Sequence, residues 1–157
     1  MNTMTQLPPH HMTMGLSTTR ANLFIVPVGR FLFSLIFILS DINHFSSGSI
    51  GYAASVGVPY PEILVPFSGV LVLIGGLSVA LGYKARVGAI LLFFFLIPVT
   101  FLMHNFWAYT DPVQAANQMA HFMKNLCLIG GSILFAFYGA GPISVDNHIA
   151  KNSTKRI

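Results

Sequence analysis

The chain has 157 residues, a formal net charge of +4, 54% hydrophobic and 8% charged residues, and a mean hydropathy of +0.72. Soluble domains carry roughly a quarter charged residues, so this composition excludes an ordinary globular fold and indicates an integral membrane protein in a lipid bilayer. The eight Lys and Arg residues form no run longer than the Lys155–Arg156 pair, which leaves no cationic stretch to follow a phosphate backbone and excludes nucleic acid as a partner.

The apolar runs are continuous, whereas a membrane barrel would alternate over segments of about 10 residues, so the spans are helical. At about 20 residues per crossing the length accommodates four. The expected fold is all-α, an integral membrane four-helix bundle. Residues 1–21 are polar and rich in Pro and Met, with no apolar centre or cleavage site of a secretory signal, and read as a disordered N-terminal tail. The transmembrane domain is expected over 22–142.

The first span is predicted over about 23–45. Arg30, Ser34, Phe37, Asp41 and then His44 or Phe45 recur at steps of three or four and share one helix face. Charge facing lipid is costly, so this face should look into the bundle, although snorkelling of Arg30 towards the headgroups is the alternative. Residues 46–61 are Ser-, Gly- and Pro-rich and read as a loop, with a short interfacial helix around 50–55. The second span, about 63–81, is uncharged and carries small residues that permit close helix approach. GYKAR at 82–86 is a basic turn. The third span, about 87–107, contains Pro98 and ends in His104, Asn105 and Trp107; the fourth, about 118–138, opens with Gln118, His121, Lys124 and Asn125. The lone Cys127 reads as a buried packing residue, and 143–157 as a C-terminal tail.

Lys84, Arg86, Lys151, Lys155, Arg156 and Arg20 fall on one side of such a bundle, while 46–61 and 108–117 contain no Lys or Arg. The positive-inside rule therefore predicts that both termini are cytoplasmic. The polar ends of spans one, three and four then share the outer level, which makes Arg30, Asp41, His44, His104, Asn105, Trp107, His121, Lys124 and Asn125 the candidate ligand-binding set. An Asp41–Lys124 ion pair is the natural way to keep both charges. No metal is expected, the alternative being a three-histidine site of His44, His104 and His121. Trp107 with Phe106 and Tyr109 suits an interfacial aromatic belt. There is no GxSxG, P-loop, GxGxxG or CxxC, so no catalytic residue and no encoded redox centre can be named.

The ordered set of SDINHF, GVPYP, IGGLSVALGYKAR, HNFW, FMKNL and GAGPISVD, with Arg30 ahead of it, resembles the DoxX family over about residues 30–146. The resemblance implies a four-helix bundle of the bacterial inner membrane linked to quinone-coupled oxidoreductase systems. By that likeness Arg30, Asn43, His104, Asn105, Trp107, Lys124 and Asn125 stand at the family's recurring polar positions. Two departures matter: Val72 stands where many relatives carry Glu, and Asp41 where many carry Gly. The function this favours is a small membrane subunit or quinone-interacting component of an oxidoreductase system, with quinone as cofactor and a partner subunit supplying electrons. The alternatives are a transporter or a lipid- or solute-binding bundle without redox activity, and an assembly scaffold with a dry interior.

Overall fold

A computed structural model describes residues 20–40 and 44–154. Helix α1 runs Arg20–Ser40, the short α2 Ser47–Ser55, α3 Pro61–Leu81, α4 Ala85–Met103, α5 Pro112–Tyr138 and α6 Val145–Thr154. A 3₁₀ turn, Phe106–Ala108, joins α4 to α5, and no strand occurs among the described residues. Four of these helices, α1, α3, α4 and α5, are long and apolar enough to cross a membrane.

Local chemistry sets the ends. Pro61 and Pro112 occupy the first helical positions of α3 and α5, where a missing N–H costs least. Asp111 caps α5 by accepting from the Val113 amide at 3.2 Å. That cap starts α5 at Pro112, six residues ahead of the polar periodicity that begins at Gln118. Ser46 caps α2 in the same way, accepting from the Ser49 amide at 3.2 Å. The segment after Pro142 is helical where the sequence reads as a tail: α6 is amphipathic and too polar to show as an apolar run.

In the bundle α3 packs against α1 and α4, and α4 against α5. The ring closes where Phe33 of α1 meets Phe135 of α5, ring centroids 5.0 Å apart. The core joins Phe37 from α1, Val72 and Val79 from α3, and Ala89, Leu92 and Leu96 from α4. Small residues allow this closeness. A Cβ on Gly88 would lie 2.5 Å from the Ser78 hydroxyl and 2.9 Å from the Gly75 carbonyl, and one on Gly131 would lie 2.7 Å from the Phe33 ring. With no water to reward apolar burial between spans, dispersion across such close backbones holds them together. The outward faces carry Phe24, Ile25, Phe31, Phe67, Phe94 and Phe137, each more than half exposed, as lipid-facing surfaces require. Cys127 is exposed on α5 rather than buried, because the inward positions of that helix are taken by Asn125, Leu128 and Ser132.

The two ends of the bundle differ. At one end lie the α3–α4 turn, with Lys84 and Arg86, and the start of α6, whose last turn carries Lys151. At the other lie α2, the 3₁₀ turn and the start of α5, with no Lys or Arg in the connections.

Candidate functional site

Antiparallel neighbours bring the C-terminus of α4 beside the first three turns of α5. His104, the residue after α4, accordingly lies against His121, their rings stacked with centroids 5.1 Å apart and an interplanar angle of 18°. One turn further along α5, the Lys124 ammonium donates to His121 Nδ1 at 3.3 Å. On the other side His104 Nδ1 meets Gln118 Oε1 at 2.8 Å, and Gln118 Nε2 donates to the Tyr52 hydroxyl at 3.1 Å. Tyr52 donates in turn to the Met103 carbonyl at 2.7 Å and lies 3.2 Å from the Tyr109 hydroxyl. Six side chains, from α2, α5 and the connection between α4 and α5, thus form one polar network. It ties α2 across the ends of α4 and α5. Tyr52 lies outside the spans; burial, and then the Tyr109 hydroxyl, push it from 10.0 up to about 12.

Beneath this network is a cavity of about 580 Å³. Its walls are mainly apolar, drawn from α1, α3, α4 and α5, and Ala53, Val58 and Pro59 bound it from the α2 side. The polar groups that line it are Ser40, His44, Ser49, Tyr52, Ser68, His104, Lys124 and Asn125. A half-open, mainly apolar cavity with a few polar groups on its wall suits an amphiphile whose head carries hydrogen-bonding groups.

The sequence-predicted set divides on this geometry. His44, His104, Lys124 and Asn125 all line the cavity, and His121 backs it through its contacts with His104 and Lys124. Asn105 sits at the α4–3₁₀ junction with a buried Oδ1 that has no partner among the described residues, outside the cavity wall. Trp107 belongs to an edge-to-face group with Phe106 and Phe122 and is 59% exposed, the belt position. Asp41 and Asn43 lie outside the described residues, so the Asp41–Lys124 pair does too. Arg30 is not brought to this end. It is buried at 3% exposure, with Nη1 donating to the Ala140 carbonyl and Nη2 to the Ile143 carbonyl at 2.8 Å, where α5 hands over to α6. The inward reading of its helix face holds, and the level differs. His44 stands apart from the stacked pair, its Nδ1 3.2 Å from the Ser40 carbonyl and its ring against Phe95. Among the described residues no group of three or more His, Cys, Asp or Glu could hold a metal.

Tyr52 and Gln118 were absent from the sequence-derived set. Tyr52 carries no local signal in a Ser- and Gly-rich loop; Gln118 shares the face of His121 and Asn125, and that register was the available clue.

Comparison with known proteins settles the family. The DoxX profile matches residues 25–105. The inner membrane protein YqjF of Escherichia coli K12 is 30% identical over 128 residues, 80% of this chain and 92% of that protein. The chain belongs to the DoxX family. The inner membrane protein YphA of the same organism is 29% identical over 121 residues, 76% of this DoxX chain and 86% of its own length. A shorter likeness, 35% over 80 residues, is to the ER-derived vesicles protein ERV29 of Saccharomyces cerevisiae, covering 51% of this chain and 26% of that protein. No solved structure matches at a significant level. With four candidate spans and inner-membrane relatives, this DoxX protein is a multi-pass inner-membrane protein.

Proposed function

We propose that this DoxX protein is a quinone-binding membrane subunit of an oxidoreductase system. The observation that carries the reading is the cavity of about 580 Å³, apolar along its length, with His44, Tyr52, His104, Lys124 and Asn125 on its polar side. Its apolar walls would take an isoprenoid tail. Lys124 has three donors and one polar contact among the described residues, so its ammonium can donate to a quinone carbonyl. A quinone there would serve as a two-electron, two-proton carrier, with electrons supplied by a partner subunit. Tyr52 and the residues around it exclude water from the head group by closing the α2 side. Asp41 and Asn43 join the proposed site on sequence register alone, Asp41 as the counter-charge to Lys124. Both termini are proposed to face the cytoplasm, since Lys84 and Arg86 stand at the end opposite the cavity and α6, which carries Lys151, docks there through Asp146.

The test is extraction. Protein purified in mild detergent and stripped with organic solvent should release quinone near one equivalent per chain, identified by its ultraviolet spectrum before and after borohydride. Lys124→Met should release several-fold less while keeping the unfolding midpoint. Phospholipid without quinone in both samples would sink the reading and favour the lipid- or solute-binding alternative.

A further inference from the structure

The hydrogen-bond network fixes more than the shape of the cavity, because its donors and acceptors can be assigned in only one order. The Tyr52 hydroxyl lies 2.7 Å from the Met103 carbonyl, which can only accept. Two oxygens approach that closely only with a proton between them, so the single Tyr52 hydrogen is committed there. Tyr52 must then accept from its other neighbours. Tyr109 can donate its hydroxyl hydrogen, and the Gln118 group at 3.1 Å must be the amide nitrogen. That turns the Gln118 oxygen towards His104, 2.8 Å from Nδ1. An oxygen there requires Nδ1 to carry the hydrogen, and the neutral imidazole is left with Nε2 bare.

The neighbouring ring has the opposite arrangement. Lys124 offers only hydrogens, so His121 Nδ1, 3.3 Å away, is the bare nitrogen and Nε2 carries the proton. His104 Nε2 has no partner among the described residues, and His104 lines the cavity whereas His121 does not. Resting on the quinone reading of the same cavity, we infer that Tyr52 and Gln118 are positioning residues that hold His104 as a hydrogen-bond acceptor, so that the site selects amphiphiles whose head carries a hydroxyl donor: the quinol over the quinone, and a phenol over its ether. Lys124 supplies the complementary donor. A head with one hydroxyl and one accepting oxygen satisfies both.

The experiment separates this inference from the quinone reading. The full-length protein, labelled with 15N-histidine in detergent, is compared with Gln118→Met, Tyr52→Phe and His104→Asn, the last identifying the His104 signals. Wild type should show His104 with a protonated Nδ1 and an unprotonated Nε2, and both Gln118→Met and Tyr52→Phe should weaken or reverse that pattern. In parallel, a long-chain alkylphenol should bind about tenfold more tightly than its methyl ether, one hydrogen bond's worth, and the difference should close in Gln118→Met. Because the phenol and ether contain no quinone, this arm reads the hydroxyl preference whether or not quinone is extracted from the purified protein. A protonated Nε2 on His104 in wild type, signals unmoved in both variants, equal binding of phenol and ether, or binding of neither would each overturn the inference. A fold-neutral check accompanies it: Gln118→Met must keep the wild-type helical signal, and Tyr52→Phe provides the second route to the same readout if it does not.

Discussion

Replacing Tyr52 with Phe removes one oxygen that serves three partners: the Met103 carbonyl, the Gln118 amide and the Tyr109 hydroxyl. Met103 closes α4, and its carbonyl is among those that a helix C-terminus leaves without an internal partner. The displacement of Tyr52 from 10.0 to about 12 provides a second measure of the same environment. In a fully enclosed site that displacement would correspond to about 2.7 kcal/mol of preference for the neutral phenol. That preference acts on the ionised form and is felt only at high pH; at neutral pH Phe forfeits the hydrogen bonds instead, roughly 1–2 kcal/mol at this half-buried position. A raised phenol contributes stability that is complete below pH 10 and is lost as the pH climbs through about 12. Thermal unfolding in detergent should therefore place Tyr52→Phe about 2–8 °C below wild type at neutral pH, taking roughly 2–4 °C per kcal/mol for a chain of this size. The gap should hold up to about pH 10 and narrow above it. A gap that stays constant up to pH 12, or no gap at neutral pH, would refute the assignment of Tyr52 as the tie between α2 and the bundle.

Other positions give sharper structural expectations. Gly88→Ala drives a methyl into Ser78 and the Gly75 carbonyl and should destabilise the bundle by about 1–3 kcal/mol, whereas Gly130→Ala meets nothing within 4 Å and should leave the unfolding midpoint alone. Arg30→Met strips the donors from the Ala140 and Ile143 carbonyls and should cost about 2 kcal/mol or more; trypsin should then cut at Lys151 several-fold faster, while the quinone content of intact protein is unchanged. For the proposed orientation, a cysteine at Thr110 in a Cys127→Ala background should react with an impermeant maleimide in cells with a permeabilised outer membrane, and one at Ser153 should not. The reverse labelling pattern would invert the bundle.

The four spans were legible because each crossing needs a long apolar run, and nothing in the composition competes with that signal. Helix ends were harder. The start of α5 depends on Asp111 and Pro112, residues that also make turns, and α6 depends on an amphipathic stretch with few apolar residues. At the site, His104 and Lys124 could be placed at one level because a short connection joins their helices. Arg30 could not, since the periodicity that puts Arg30, Ser34 and Phe37 on one buried face says which way they point and not how far along the axis their tips reach. Tyr52 and Gln118 are 66 residues apart, and only folding makes them neighbours.

The two cations carried by these spans, Arg30 and Lys124, are held in different ways. Arg30 has Nη1 and Nη2 committed to backbone carbonyls beside a turn that is itself locked, for the Asp146 carboxylate accepts from the Lys84 and Ala85 amides at 2.8 and 3.2 Å, and the Asp146 amide donates to the Gly82 carbonyl at 2.9 Å. A cation so engaged, at a junction of main-chain segments, fixes where helices end. Lys124 is exposed, touches one neutral imidazole among the described residues, and borders an enclosure of about 580 Å³. An ammonium so placed keeps donors to spare for a ligand's accepting oxygen. On the proposed reading, Lys124 and an acceptor-oriented His104 would together answer a ligand whose head carries both an accepting and a donating group.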